Sequence, residues 1–204
     1  MKTRIEIKQE SKQILKENYS VALLPYLLYM LLTAVASAVL VGFGGILLLP
    51  LGVGMNLVYL MLWKRESPSI DLMFSSAFQE NYGRKLGGML LVGVFTWLWS
   101  LLFVIPGIVK SYSYAATPYI LGRYTNVTAE NAIKISMRIM NGHKMDLFIL
   151  QLSFIGWQLL GVLTFGILNI FWVTPYQYIA TAGCFDEFLA EASESGRVDA
   201  GELA

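Results

Sequence analysis

The stretch WLWSLLFVIPGIVKSYSYAATPYIL, residues 97–121, decides the fold. It opens on the end of a very apolar run and turns at Pro106-Gly107. The return arm then carries Lys110, two serines, three tyrosines and Pro118. A lysine at the centre of a membrane helix costs about 2.5–3.5 kcal/mol on insertion, and each aliphatic residue returns only about 0.3–0.6 kcal/mol. Ile108, Val109, Ile120 and Leu121 barely offset that cost, so the return arm is expected to insert with its partner arm and to lie inside a bundle. A polar helix within a hydrophobic chain is the mark of a polytopic membrane protein.

Working outward, the rest of the chain repeats this theme. Of 204 residues, 56% are hydrophobic and 14% charged, against about 25% charged in soluble domains. The net charge of +1 hides a segregation. Every Asp and Glu, and every Lys and Arg except Lys110, falls in residues 1–20, 64–85, 123–146 or 183–204. Between them lie six apolar runs expected to span a bilayer, which takes about 20 residues: 21–43, 46–63, 86–105, 107–124, 145–165 and 167–189. Lys and Arg sit at the N-terminus and in the two long connections, whereas the three short turns have none. By the positive-inside rule both termini and both long connections are cytoplasmic. The first apolar run is too long for a signal-peptide core and is read as a span. The acidic, polar segment 191–204 is expected to be a disordered cytoplasmic tail.

Each pair of spans follows an amphipathic stretch. Residues 3–17 put Lys8, Lys12 and Lys16 on one stripe, with a poor apolar stripe of Ile5, Ile7, Ile14 and Leu15. The helix after Ser67-Pro68 and the helix after Thr128 each have a clean apolar face, which suits the membrane interface. The expected fold is all-α: six transmembrane helices arranged as three parallel hairpin repeats, each preceded by a cytoplasmic amphipathic helix, within a single domain of residues 1–190. The repeats are about 1–65, 66–125 and 126–190. Asn18-Tyr19 and Asn81-Tyr82 open two hairpins at matching points, and Thr117-Pro118-Tyr119 recurs as Thr174-Pro175-Tyr176.

The stretch from Trp97 to Tyr114, with Thr117-Pro118-Tyr119-Ile120-Leu121, Gly142-His143-Lys144, Leu147-Phe148, the run from Leu152 to Trp157, and Pro175-Tyr176, resembles a bacterial integral-membrane family known as domain of unknown function 975. That resemblance implies a multi-span protein of the bacterial plasma membrane. It is distantly similar to membrane domains attached to some glycerophosphodiester phosphodiesterases. It implies no activity.

Several residues are candidates for a site. Lys110 is an ionisable group within a span, read either as an anion ligand or as a side chain that snorkels to the interface. Tyr114 and Thr117 follow on its face. Pro118 and Pro175 are expected to kink the fourth and sixth spans and free a backbone carbonyl four residues earlier. Interrupted helices at matching repeat positions point to a midplane site, with Lys110, Tyr114, Thr117, Gln158 and Thr174 as its lining. Lys134, Arg138, His143 and Lys144 are candidate contacts to anionic headgroups. One histidine and one cysteine supply no metal site or disulfide framework, no catalytic constellation is visible, and no cofactor is expected.

Three functions follow, in this order. The first is a non-enzymatic envelope protein that interacts with lipid or peptide. The second is a small transporter or accessory permease, and the third an intramembrane enzyme acting on phospholipid headgroups. The partners expected are membrane lipids, with another membrane protein as an alternative, and no nucleic acid.

Overall fold

The computed structural model describes residues 2–40, 43–79 and 81–203, and every regular element among them is helical. The all-α class is therefore as expected. The helices are α1 (Arg4–Glu17), α2 (Tyr19–Val39), α3 (Gly44–Leu47), α4 (Leu49–Trp63), α5 (Ile70–Phe74), α6 (Tyr82–Leu102), α7 (Val104–Tyr114), α8 (Thr117–Arg123), α9 (Ala129–Ile139), α10 (Lys144–Leu152), α11 (Ile155–Leu163) and α12 (Thr174–Glu194). A π-helical turn, Ser75–Gln79, extends α5, and another, Asn169–Val173, precedes α12. Val41 and Gly42, at the end of the first expected span, lie outside the described residues.

The bundle is organised around α4. This helix is apolar all round, and such a helix belongs at the centre of a protein. Leu51, Val53, Val58, Tyr59, Leu60, Leu62 and Trp63 are all buried. It packs against α12, α8, α5, α2 and α6. Close approach to α5 is possible because residue 54 is glycine: a Cβ there would meet the Met73 carbonyl oxygen at 2.1 Å.

The inner wall is completed by α8 and by α12, whose Tyr176, Ile179, Ala180, Cys184, Phe185 and Phe188 are buried. The outer arms, α2, α6 and α10–α11, expose large apolar side chains. Val35, Val39, Trp97, Leu101, Leu159, Val162 and Leu163 are among them, and the turn residues Phe103, Ile105 and Phe165 extend the set.

Two runs are long and apolar enough by themselves to cross a membrane, Tyr19–Val39 and Lys144–Leu163. Of the other four expected spans, the third, α6, is an unbroken helix of 21 residues, and the remaining three are shorter or interrupted for visible reasons. The second is divided at Leu48, ahead of Pro50. The fourth breaks between Tyr114 and Thr117, ahead of Pro118, and the sixth passes through the π turn before Pro175. The third, α6, starts on charged ground at Arg84-Lys85.

The amphipathic helices dock on protein. In α1 the buried positions are Ile7, Ser11, Ile14 and Leu15. The stripe looks poor in sequence because its middle position is a serine. Ser11 is buried with its hydroxyl donating to the Ile7 carbonyl at 2.7 Å, so its polarity is satisfied within the helix. Thr3 and Glu6 form a capping box at the start of α1, which holds the Glu6 carboxyl below its ordinary value through hydrogen bonds from Thr3. In α9 the apolar face, Ala132, Ile133, Ile135 and Ile139, is buried. The interface that this face was expected to meet is replaced by α8, α6 and α12. Of these helices, α1 lies on α12 and α5 on α4, while α9 lies across both α6 and α8.

The segment expected as a disordered tail from residue 191 has a path in the structure. The last helix, α12, continues to Glu194, and Val198 is buried. Arg197 donates to the Asn141 carbonyl and to Glu191, both at 2.8 Å. Arg138 pairs with Glu202 at 2.5 Å. Composition reads this segment as polar, but one apolar knob and two arginine anchors are enough to dock it.

Candidate functional site

Where α4, the α7–α8 break, α10 and α12 meet, a cavity of about 350 Å³ remains. Its polar lining is Asn56 from α4, Gln151 from α10, and Thr174, Gln177, Tyr178 and Thr181 from α12; Ala115, Pro118, Tyr119, Leu147 and Phe185 complete the wall. The residues from α12 stand at i, i+3, i+4 and i+7, one face of a helix. The break ahead of Pro118 sets Ala115 and Tyr119 around the opening. No side chain in this wall carries a formal charge.

Some of the polar groups are engaged. Asn56 Nδ2 donates to the Gly52 carbonyl at 2.7 Å, Tyr112 donates to Gln151 Oε1 at 2.7 Å, and Gln158 Nε2 donates to Gln177 Oε1 at 3.3 Å. Tyr119 is 6% exposed and its hydroxyl has no hydrogen-bond partner among the described residues. A second cavity of about 370 Å³ shares Thr174 and Gln177 with the first and runs between α11 and α12. It is lined by Gln158 and Asn169 and by the apolar Ile155, Leu159, Val162 and Val173. Asn169 Oδ1 is buried without a partner. Gly161 makes room for this amide, because a Cβ there would lie 1.9 Å from that oxygen.

The structure thus brings together only part of the expected lining. Thr174 borders both cavities, Pro118 the first and Gln158 the second. Thr117 is fully buried with an unpartnered hydroxyl, and Tyr114 is buried, but neither borders the first cavity. Lys110 stands apart, with its ammonium 4.8 Å from the centre of the Trp99 ring on the neighbouring arm, a cation–π contact.

The residues expected to meet headgroups also differ in setting. Lys134 is exposed and Lys144 half-buried. Arg138 is committed to Glu202, whose carboxyl that hydrogen bond holds below its ordinary value. His143 is 9% exposed and stacks on Phe188 at 4.3 Å. Its Nε2 lies 3.2 Å from Glu191 and its Nδ1 3.5 Å from Asp146.

Asn56, Gln177, Tyr178 and Thr181 went unread in the sequence. The signal was there for α12, in the helical spacing of polar groups inside an apolar run. For Asn56 there was none, since it joins the others only through the tertiary fold. Among the described residues no group of three or more His, Cys, Asp or Glu is placed to hold a metal. The cavity offers hydrogen bonds and an apolar flank, which is the chemistry of binding.

Residues 101–189, covering both cavities' α10, α11 and α12 walls and the α7–α8 break, match the family described as "Protein of unknown function (DUF975)". Over this stretch the chain is similar to DUF975. The match bears out the family resemblance, and the family's description assigns no activity. Asn56 and the rest of α4 precede the DUF975 match, so one wall of the first cavity comes from outside it. No curated protein and no solved structure matches the chain.

Proposed function

We propose that this is a six-span integral protein of the bacterial plasma membrane that interacts with lipid and carries out no chemistry on it. The observation that carries this reading is the apolar surface of the outer arms. Val39, Trp97, Leu101, Ile105, Val162, Leu163 and Phe165 are each more than 60% exposed. Soluble monomers rarely expose contiguous apolar patches beyond a few hundred Å². Acyl chains are the solvent that makes such a surface favourable, and the absence of charge from all three short turns fits that solvent. The docking of α1 on α12, α5 on α4 and α9 across α6 and α8 supports three hairpin units in a ring, each amphipathic helix lying against the unit before it. Lys134, exposed on α9, is the basic group best placed for anionic headgroups.

The test is the accessibility of single cysteines in intact cells to an impermeant maleimide. Cysteines at Gly45 and Phe165 are expected to label from outside, and cysteines at Ser67 and Lys134 only after lysis. External labelling of Ser67 or Lys134 would overturn the topology.

A permease is the second reading, favoured by the polar cavity beside the helix breaks at Pro118 and Pro175. It predicts substrate flux in proteoliposomes that Pro118→Ala abolishes.

A further inference from the structure

We propose that the two adjoining cavities form one site for a lipid with a neutral, hydroxyl-bearing headgroup, such as the sugar of a glycolipid; this rests on the membrane reading above. The headgroup occupies the space between α4, α10 and α12, and an acyl chain lies along the groove between α11 and α12.

The unused hydrogen-bonding capacity of the first cavity selects the chemistry. Gln151 and Gln177 each accept a hydrogen bond within the protein through Oε1, which leaves both Nε2 groups to donate. Asn56 donates through Nδ2, which leaves Oδ1 to accept. The hydroxyls of Tyr119 and Thr181 serve either way. A ligand whose groups both donate and accept uses all of these, and a sugar or glycerol hydroxyl is such a group. An anionic or cationic headgroup would enter a wall with no counter-charge, and burying an unpaired charge is costly. The buried, unpartnered Tyr119 hydroxyl and Asn169 oxygen are a second sign, because buried polar atoms in native proteins are nearly always paired.

The groove then says what the headgroup is attached to. Thr174 and Gln177 belong to both cavities, so the polar space adjoins, across the Gln158–Gln177 hydrogen bond, a groove flanked by Leu159 and Val162, which are themselves exposed. A free sugar has no use for that groove, whereas an acyl chain matches it. Each cavity is within the roughly 300–1,000 Å³ range of small-molecule sites.

The experiment is native mass spectrometry of the full-length protein in detergent with three probes: a monohexosyl diacylglycerol, a phosphatidylglycerol of the same acyl chains, and free hexose. Retention of the glycolipid above both others is expected. The double variant Gln177→Leu, Thr181→Val should weaken it roughly tenfold, the loss of two or three hydrogen bonds, while phosphatidylglycerol on the outer surface is unchanged. Gly161→Ala, which displaces Asn169 in the groove, should weaken the glycolipid and leave Gln177 and Thr181 in place. Restoring the hydroxyl as Gln177→Leu, Thr181→Ser should recover part of the binding, which separates a lost contact from a lost fold. Preference for phosphatidylglycerol, equal retention by parent and variants, or binding of free hexose as strong as the glycolipid would each overturn the proposal. If the cysteine topology holds and glycolipid selectivity fails, only this site is wrong. If the topology fails, the membrane reading falls first.

Discussion

Two glycines one turn into α4 give opposite predictions. At Gly54 an added Cβ would lie 2.1 Å from the Met73 carbonyl oxygen and 3.2 Å from its Cα. These are backbone atoms, so no rotamer change relieves the overlap, and α5 must move off α4. Overpacking of this kind costs about 1–3 kcal/mol, and we take its upper half because the obstacle is backbone. Replacing glycine by alanine in a helix returns about 1 kcal/mol. Gly54→Ala should therefore be less stable than the parent by about 1–2 kcal/mol. At Gly52 the nearest atoms to the new Cβ are those of the Tyr29 ring at 3.5 Å, an ordinary contact. Gly52→Ala should gain the propensity term, about 1 kcal/mol, with no offset. The two variants then differ by about 2–3 kcal/mol; at about 2–4 °C per kcal/mol for a chain of this size, their unfolding midpoints separate by about 4–12 °C. Thermal unfolding of both proteins in one detergent reads this directly. Midpoints that move together, in either direction, would mean that α5 does not lie on α4 at Gly54.

Other consequences are read in the same preparations. Lys8 donates to the Ser153 carbonyl and hydroxyl at 3.3 and 3.0 Å and lies 4.6 Å over the Phe154 ring, capping the break between α10 and α11. Lys8→Ala should cost about 1 kcal/mol, discounted for its partial exposure, and a midpoint equal to the parent's would remove the cap from the account. Because the Arg138 hydrogen bond depresses the Glu202 carboxyl, its contribution to tail docking is complete above the ordinary value of 4.5 and is lost as pH falls through the lower folded value. Limited proteolysis should accordingly cut residues 195–203 faster below that range, and Arg138→Ala should give the same sensitivity at neutral pH.

How much of this was legible follows from what kind of pattern each feature left. The helical class was legible in long apolar runs, a signal spread over many residues, and the proposed hairpin plan rests on those runs and on charge segregation. The docking of α1 was missed because Ser11 interrupts the stripe, and a serine that satisfies itself within the helix looks polar in sequence while being apolar in packing. Lys110 drew attention as the one charge within a span, yet charge invites a local solution, and Trp99 supplies one. Neutral amides and hydroxyls attract less notice because each is common; only their convergence matters. Thr174, Gln177, Tyr178 and Thr181 could have been grouped by spacing, but no spacing joins Asn56 to Gln177, which meet only when α4 and α12 pack.

That convergence links the cavity to the closing of the ring. Asn56 comes from α4, Tyr119 from α8, Gln151 from α10, and Gln177 and Thr181 from α12, so the wall is complete only when these helices are docked. One seam, between α1 and α12, joins the two ends of the described chain. There Tyr176 donates to the Lys8 carbonyl at 2.9 Å, and the Lys2 amide donates to Glu187 at 3.0 Å. Tyr176 borders neither cavity. Tyr176→Phe removes one part-buried hydrogen bond, about 1 kcal/mol, from the seam alone. If the ring holds the cavity together, this variant should weaken glycolipid retention severalfold while the Gly54→Ala penalty is unchanged when the two are combined, since the seam and the α4–α5 contact are separate. Retention equal to the parent's would show that the cavity is held by the third unit itself and that the closing seam contributes only stability.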